Sequence, residues 1–464
     1  MIPTLRRDLD ELPALLRSAV ELAEQALGDL DDRPAGVMPG AVEPARLPRE
    51  GLGAAGVLER FRSQFEPLMT GSAGPRYWGF VTGGVTPAAL VGDWLAPIYD
   101  NNALGETEPA AALLEREAIA LLRELLGLPE ALSGSFVSGA TMANLVGLAQ
   151  ARQWAAARDG ARADLDGLYG LRPPRVLGGA AHSSIDKSLS VLGIGRRQRV
   201  VLPLSAGRQA VDLEALRAAL ADAAGHPCIV VANAGTADTA DFDDLAAIAA
   251  LKAEHDFWLH VDAAFGGFAA CSPVHRHLVD GWEAADSITV DCHKWLNVPY
   301  DSAVQWTRHR DLQLEVFTNA AAYLLPPSAD PDPLHLVPEN SRRLRALPAW
   351  FTLLAYGADG YREIVERDSA LAAALGERIA ASAELRLLAP VRLNVVCFTL
   401  ADAEAGRVAR FLAELRAGGR VFLTPTTLGG VPAARAALTN WRTQERDIDV
   451  AWAAILDAAR RCLA

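Results

Sequence analysis

The chain has 464 residues, 51% hydrophobic and 22% charged, enough for a substantial core and more than one structural unit. A net charge of −13 argues against a nucleic-acid partner, which would need clustered Lys and Arg. Five scattered cysteines without CxxC spacing argue against a disulfide framework or zinc site, and no apolar run suits a membrane span or signal peptide, so a cytoplasmic protein without a metal is expected.

Residues 3–30 repeat Leu, Ala and Val at helical spacing and predict an amphipathic helix; 31–50 lose that period among Pro and Gly and predict a linker. A short helix is expected near 57–65, then a glycine-rich loop over 71–84. The run EPAAALLEREAIALLRELLGLP predicts a helix closed by Gly127 and Pro129. Beyond it, strands are expected at 134–137, 175–178, 199–202, 228–233, 258–261, 287–290 and 303–307. Helices at 141–157, 184–192, 212–223 and 243–255 fit between them. This alternation predicts an α/β fold, a mostly parallel sheet flanked by helices. Helices at 348–356, 361–381, 403–416 and 443–461, with strands at 391–400 and 436–440, predict a small α+β domain. The expected divisions are an N-terminal helical segment and linker over 1–75, a large domain over 76–345 and a small C-terminal domain over 346–464.

Five segments at predicted strand ends bear on chemistry. Lys294, beside His293 in TVDCHKW, follows a strand at the edge where ligands bind in open α/β sheets, and a lysine partly stripped of water there offers an amine for a Schiff base. Asp262, in HVDAAFGG, ends another strand. A buried carboxylate needs a cationic partner, and a pyridinium N–H at ~4 Å in an effective dielectric of ~20 would be held by about 4 kcal/mol; the same Asp would equally serve as a helix cap. SFVSGATMAN is a strand, a small-residue turn and a helix start, fit for a phosphate or for ordinary capping, with Ala140 and Thr141 at the helix start. His182, after 175–178, could lie flat on an aromatic ring or be an ordinary loop histidine. Thr236, in NAGT, could reach a ring substituent or cap the next helix.

In chain order these five segments resemble the fold-type I pyridoxal 5'-phosphate (PLP) enzymes. WLHVDAAFGG followed by DCHKWLNVPYD resembles the group II amino-acid decarboxylases, which include the aromatic amino-acid, glutamate and diaminobutyrate enzymes. EPAAALLEREAIALLRELLGLP, RRLRALPAWFTLLAYGADGYREIVER and ALTNWRT extend the resemblance over nearly the whole chain. It implies a PLP-dependent lyase of fold-type I architecture that decarboxylates an L-amino acid to an amine and CO2 through a Lys294 aldimine. It further implies Asp262 on the ring nitrogen, with Ala264 beside it, and His182 stacked on the ring. Ala140, Thr141 and His293 would contact the phosphate and Thr236 would lie near the ring. Phe80 and Thr82, in YWGFVTGG, would line the substrate pocket of a homodimer with shared sites.

Two departures stand out. Cys292 replaces the family's usual Pro or Ala before His-Lys and is expected to be a packing residue. The loop aligned with the family's catalytic tyrosine, residues 325–339, has no tyrosine; Tyr323 precedes it and His335 is its one plausible general acid, although a solvated loop histidine reads equally well. Decarboxylation-dependent oxidative deamination, aldol-type cleavage, transamination and a PLP-binding dimer without turnover therefore stay open. Trp78, Phe80 and Trp306 are candidate apolar walls, each more readily read as core.

Overall fold

The computed structural model describes residues 1–464 except 106, 224, 322–326 and 329; Tyr323 and the first residues of the 325–339 loop lie outside the described residues. Seven strands form the large sheet: β1 (Ser133–Val137), β2 (Arg175–Gly178), β3 (Arg199–Val201), β4 (Cys228–Asn233), β5 (Phe257–Asp262), β6 (Ser287–Asp291) and β7 (Ala303–Thr307). Their order is β1-β7-β6-β5-β4-β2-β3. All neighbours from β6 to β3 are parallel, and β7 runs against both β6 and β1. Every residue of β4 to β7 is buried, because helices cover both faces, and this is why these strands read as mostly apolar runs without alternation. Since β7 opposes both neighbours, β1 and β6 point the same way. The carboxyl ends of β1, β2, β4, β5 and β6 therefore share one edge, with Asn233 of β4 and Thr289 of β6 both in register with Asp262.

A second, antiparallel sheet holds β8 (Leu385–Leu387), β9 (Val395–Leu400), β10 (Thr424–Leu428) and β11 (Val431–Ala437) in the order β10-β11-β9-β8. Its apolar core is separate and is closed by helices Ala405–Gly418 and Glu445–Leu463. Trp78 belongs to this core and Trp306 to that of the large sheet, both fully buried. The helix Ala346–Ala380 joins the two sheets, and its expected interruption is a single residue, Gly357, at φ 58°.

Several expected boundaries change. The helix over 3–30 is two helices, Pro3–Asp10 and Leu12–Gly28, parted where Pro13 lacks the N–H that would continue the first. The helix over 243–255 contracts to Leu245–Ala250 and a 3₁₀ turn. The strand expected at 436–440 is β11, which ends at Ala437; beyond it Asn440 turns to donate to the Ala73 and Gly74 carbonyls at 3.0 and 2.9 Å. Helices Pro87–Tyr99 and Arg310–Phe317 and strands β8 and β10 were not expected.

Candidate active site

At the shared edge lies a cavity of about 140 Å³. It gathers Ala140 from the turn after β1, His182 after β2, Thr236 after β4, Asp262 and Ala264 at the end of β5, and Lys294 after β6. Six of the expected residues, scattered over 155 positions of sequence, thus meet in one place because parallel strands deliver their carboxyl ends together. Phe80 also lines it, 61% exposed and with its backbone at φ 58°; this corrects its reading as core. Backbone in that region costs a bulky residue free energy and is held here by the packing of its neighbours. Gly83, three residues on, approaches the Lys294 turn so closely that a Cβ would fall 1.7 Å from the Lys294 carbonyl oxygen.

The Lys294 amine faces Asp291 Oδ2 at 3.0 Å and the Phe265 ring at 5.7 Å. Asp262 is 7% exposed. Its Oδ2 accepts from Asn144 Nδ2 at 2.9 Å and its Oδ1 from the Ala264 N–H at 3.2 Å, and no cationic side chain forms a salt bridge with it among the described residues. Desolvation pulls His182 below the ordinary histidine range, against the opposing pull of Asp262, so the ring is neutral at pH 7. The helix Ala140–Ala157 starts after Gly139 with no side-chain cap, leaving its first N–H groups for a ligand.

Four expected residues do not line the cavity. Thr141 is exposed on the first turn of that helix. His293 lies behind the turn, with its ring 4.6 Å from that of Tyr300 and its Cε1 beside Gly139. Thr82 Oγ1 bonds the Tyr300 hydroxyl at 2.9 Å. His335 is 3% exposed and takes the Asn319 N–H on Nδ1 at 3.3 Å, so it is not a solvated loop histidine. Thr236 does line the cavity, but its hydroxyl donates to Gln209 Oε1 at 2.9 Å and caps no helix; Asp244 caps the next one. Cys292 is buried, with its thiol pKa pushed up by desolvation, as expected of a packing residue.

Arg435 was missed. It reaches the cavity from β11, donates from Nη1 to the Ala237 carbonyl at 2.8 Å, and has a buried Nε with no partner. An alanine-rich strand gave no sequence signal for it.

The residues fit PLP. An amine, a buried carboxylate lacking a cation, a neutral imidazole and an uncapped helix end match an aldehyde, a pyridine nitrogen, an aromatic face and a phosphate. Among the described residues there is no group of His, Cys, Asp and Glu able to hold a metal, and no helix is long and apolar enough to cross a membrane.

The family model described as "Pyridoxal-dependent decarboxylase conserved domain" matches residues 37–401. The chain is 26% identical to tryptophan decarboxylase 2 of Oryza sativa subsp. japonica over 454 residues, 92% of this chain and 90% of that protein. It is 26% identical to 4-hydroxyphenylacetaldehyde synthase of Rhodiola rosea over 476 residues, 98% of this chain and 96% of that one. The crystal structure of Oryza sativa TDC with PLP and tryptamine superposes with a TM-score of 0.90 at 25% identity, covering 98% of this chain and 99% of that one. With the cavity and its residues, these matches make the chain a member of the pyridoxal-dependent decarboxylase family, a PLP-dependent carboxy-lyase.

Proposed function

We propose that the substrate is an L-amino acid with an aromatic side chain, converted to its amine and CO2. The observation that carries this reading is the placement of the Lys294 amine, the half-buried Arg435 guanidinium and the exposed Phe80 side chain around one cavity. Bound PLP supplies an aldehyde to capture the substrate amine and a ring to accept the electron pair left when the carboxylate departs. Lys294 holds the cofactor between turnovers and yields its place to the substrate amine. Asp262 keeps the ring nitrogen protonated, His182 covers the ring, and Thr236 and Ala264 bound its edge. Ala140 and Thr141, on the first turn of their helix, hold the phosphate, with His293 packed behind that turn beside Gly139. Arg435 orients the substrate carboxylate, while Phe80 walls the side-chain space and Thr82 supports that wall from behind through Tyr300. The similarity to an enzyme named for tryptophan and to one named for a hydroxyphenylacetaldehyde product supports an aromatic side chain.

Borohydride reduction and peptide mapping test the anchor. The chain has three lysines, and label on Lys187 or Lys252 instead of Lys294 would overturn it. A panel of amino acids assayed for CO2, amine, aldehyde and peroxide tests the reaction. A second reading, oxidative formation of an aldehyde with uptake of dioxygen, is favoured by the missing tyrosine in 325–339 and by the aldehyde synthase similarity. Peroxide and aldehyde in step with CO2 would select it. His335 is the proton donor proposed within that loop; an unchanged rate and product in His335→Phe would remove it from the reaction.

A homodimer with shared sites is part of the same reading. Helices Pro3–Asp10, Leu12–Gly28 and Gly53–Gln64 bury no residue yet carry Leu5, Leu9, Leu16 and Val57 exposed, and Phe80 and Tyr300 are open beside the cavity. Sedimentation at equilibrium tests it, a monomer mass being the adverse result. The two separate apolar cores support a large domain near 76–345 and a small one near 346–464, the helices that bury no residue support a separate segment over 1–75, and five free cysteines support a reducing, cytoplasmic setting.

A further inference from the structure

We infer that Asn144 is a positioning residue, aiming Asp262 directly and His182 through Ser184; this rests on the assignment of Asp262 to the ring nitrogen. Asn144 is fully buried in the second turn of helix Ala140–Ala157, facing β5 and β6, and it makes every hydrogen bond its amide allows. Nδ2 donates to Asp262 Oδ2 at 2.9 Å and to Ser184 Oγ at 3.0 Å. Oδ1 accepts from Thr289 Oγ1 at 2.6 Å and from His260 Nε2 at 2.9 Å.

The direction of the network is fixed from both ends. Asp262 is a carboxylate and only accepts, so the Asn144 nitrogen must face it and the Asn144 oxygen must face His260. Full burial pulls His260 down to about 4, so this ring is neutral and carries its one proton on Nε2. Its Nδ1 then accepts from Ser287 Oγ at 2.7 Å, and Ser287 in turn accepts from Trp258 Nε1 at 2.9 Å. On the other branch, Ser184 has accepted from Asn144, so its hydroxyl proton goes to His182 Nδ1 at 2.8 Å, joined by the Ser184 N–H at 3.3 Å. His182 is left with Nε2–H as its free donor. The groups acting on that ring are Asp262, Lys294, Arg435 and Asp291.

The Asn144 donor holds Asp262 Oδ2 in one orientation, leaving the carboxylate aimed at a ring nitrogen. Without it the carboxylate turns more freely.

The test uses Asn144→Ala and Asn144→Asp, the latter keeping the shape while losing both donors. PLP affinity of the apoenzyme, visible circular dichroism of the bound cofactor and the apoenzyme melting temperature are measured. We expect PLP to bind at least about tenfold more weakly, with a changed visible band, in both variants. Ser184→Ala, which spares the bond to Asp262, should change the visible dichroism while affinity stays within about threefold of the parent. A folded Asn144 variant with parental affinity and spectrum overturns the inference, and if those variants do not fold, unchanged dichroism in Ser184→Ala overturns it. Asp262→Asn separates the two levels: parental PLP affinity there defeats the Asp262 assignment, whereas a loss there without one at Asn144 defeats only the positioning role.

Discussion

Lys294 Nζ lies 3.0 Å from Asp291 Oδ2, and the other oxygen of that buried carboxylate, Oδ1, has no hydrogen-bond partner among the described residues. On the proposed reading the amine does two jobs: it anchors the cofactor, and it neutralises a carboxylate otherwise approached, among the described residues, by the His293 ring at 3.6 Å.

Replacing Lys294 by Ala should abolish borohydride labelling and lower kcat by about a thousandfold or more. It should also destabilise the apoenzyme by about 3 kcal/mol, because a buried charge loses its partner. Lys294→Arg should lose activity equally while keeping most of the melting temperature. Equal melting temperatures for Lys294→Ala and the parent would refute the structural half of this expectation.

Arg435 carries the one guanidinium lining the cavity among the described residues. Arg435→Met should raise KM for the amino acid about tenfold to a hundredfold, the range for a lost hydrogen bond to a charged group, and leave PLP affinity little changed. Steady-state kinetics beside a PLP titration would check both halves.

Asp368 is fully buried one helix away from the cofactor turn; it accepts from Trp295 Nε1 at 2.8 Å, and its Oδ1 has no partner. Burial pushes its pKa up to about 8. The folded chain thus holds a proton that the unfolded chain releases near pH 4, so this group makes stability fall as pH rises from about 4 to about 8, at up to about 1.4 kcal/mol per unit. Asp368→Asn keeps the acceptor for Trp295 and removes the proton. Its melting temperature should exceed the parent's at pH 8 and vary less between pH 5 and 8.

Gly83→Ala would drive a methyl group into the Lys294 carbonyl and to 2.3 Å from Asn297 Nδ2, neither able to retreat without moving the lysine turn. Asn297 cannot swing aside, since its Nδ2 also donates to the Gly83 and Thr439 carbonyls at 2.6 and 2.7 Å. The variant should lose PLP retention on gel filtration, and one that retains it stoichiometrically would show the turn to be more compliant than its packing implies.

How much of this was legible beforehand depended on the distance over which each residue is specified. Lys294, Asp262 and His182 each lie at or just after a short, mostly apolar strand, and parallel topology then places strand ends together, so local pattern sufficed. Arg435 sits within VPAARAA, whose small residues show no alternation, and its Ala237 partner is 198 positions away. Asn144 read as an ordinary helix residue because its partners lie 40 to 145 positions off. Strands β8 and β10, LRL and TPTTL, are too short and too mixed to carry a period of their own. Phe80, which the resemblance put in the pocket, read as core from its own segment because a left-handed backbone, not composition, turns its ring outward.

The cavity draws its amine from the end of β6 and its guanidinium from β11, which belong to sheets with separate cores. On the proposed reading a substrate acts as a strut between them, one end on each sheet. Loss of CO2 removes one end of the strut. The product then grips a single sheet, so the chemistry itself loosens what it has made and turnover carries its own release step.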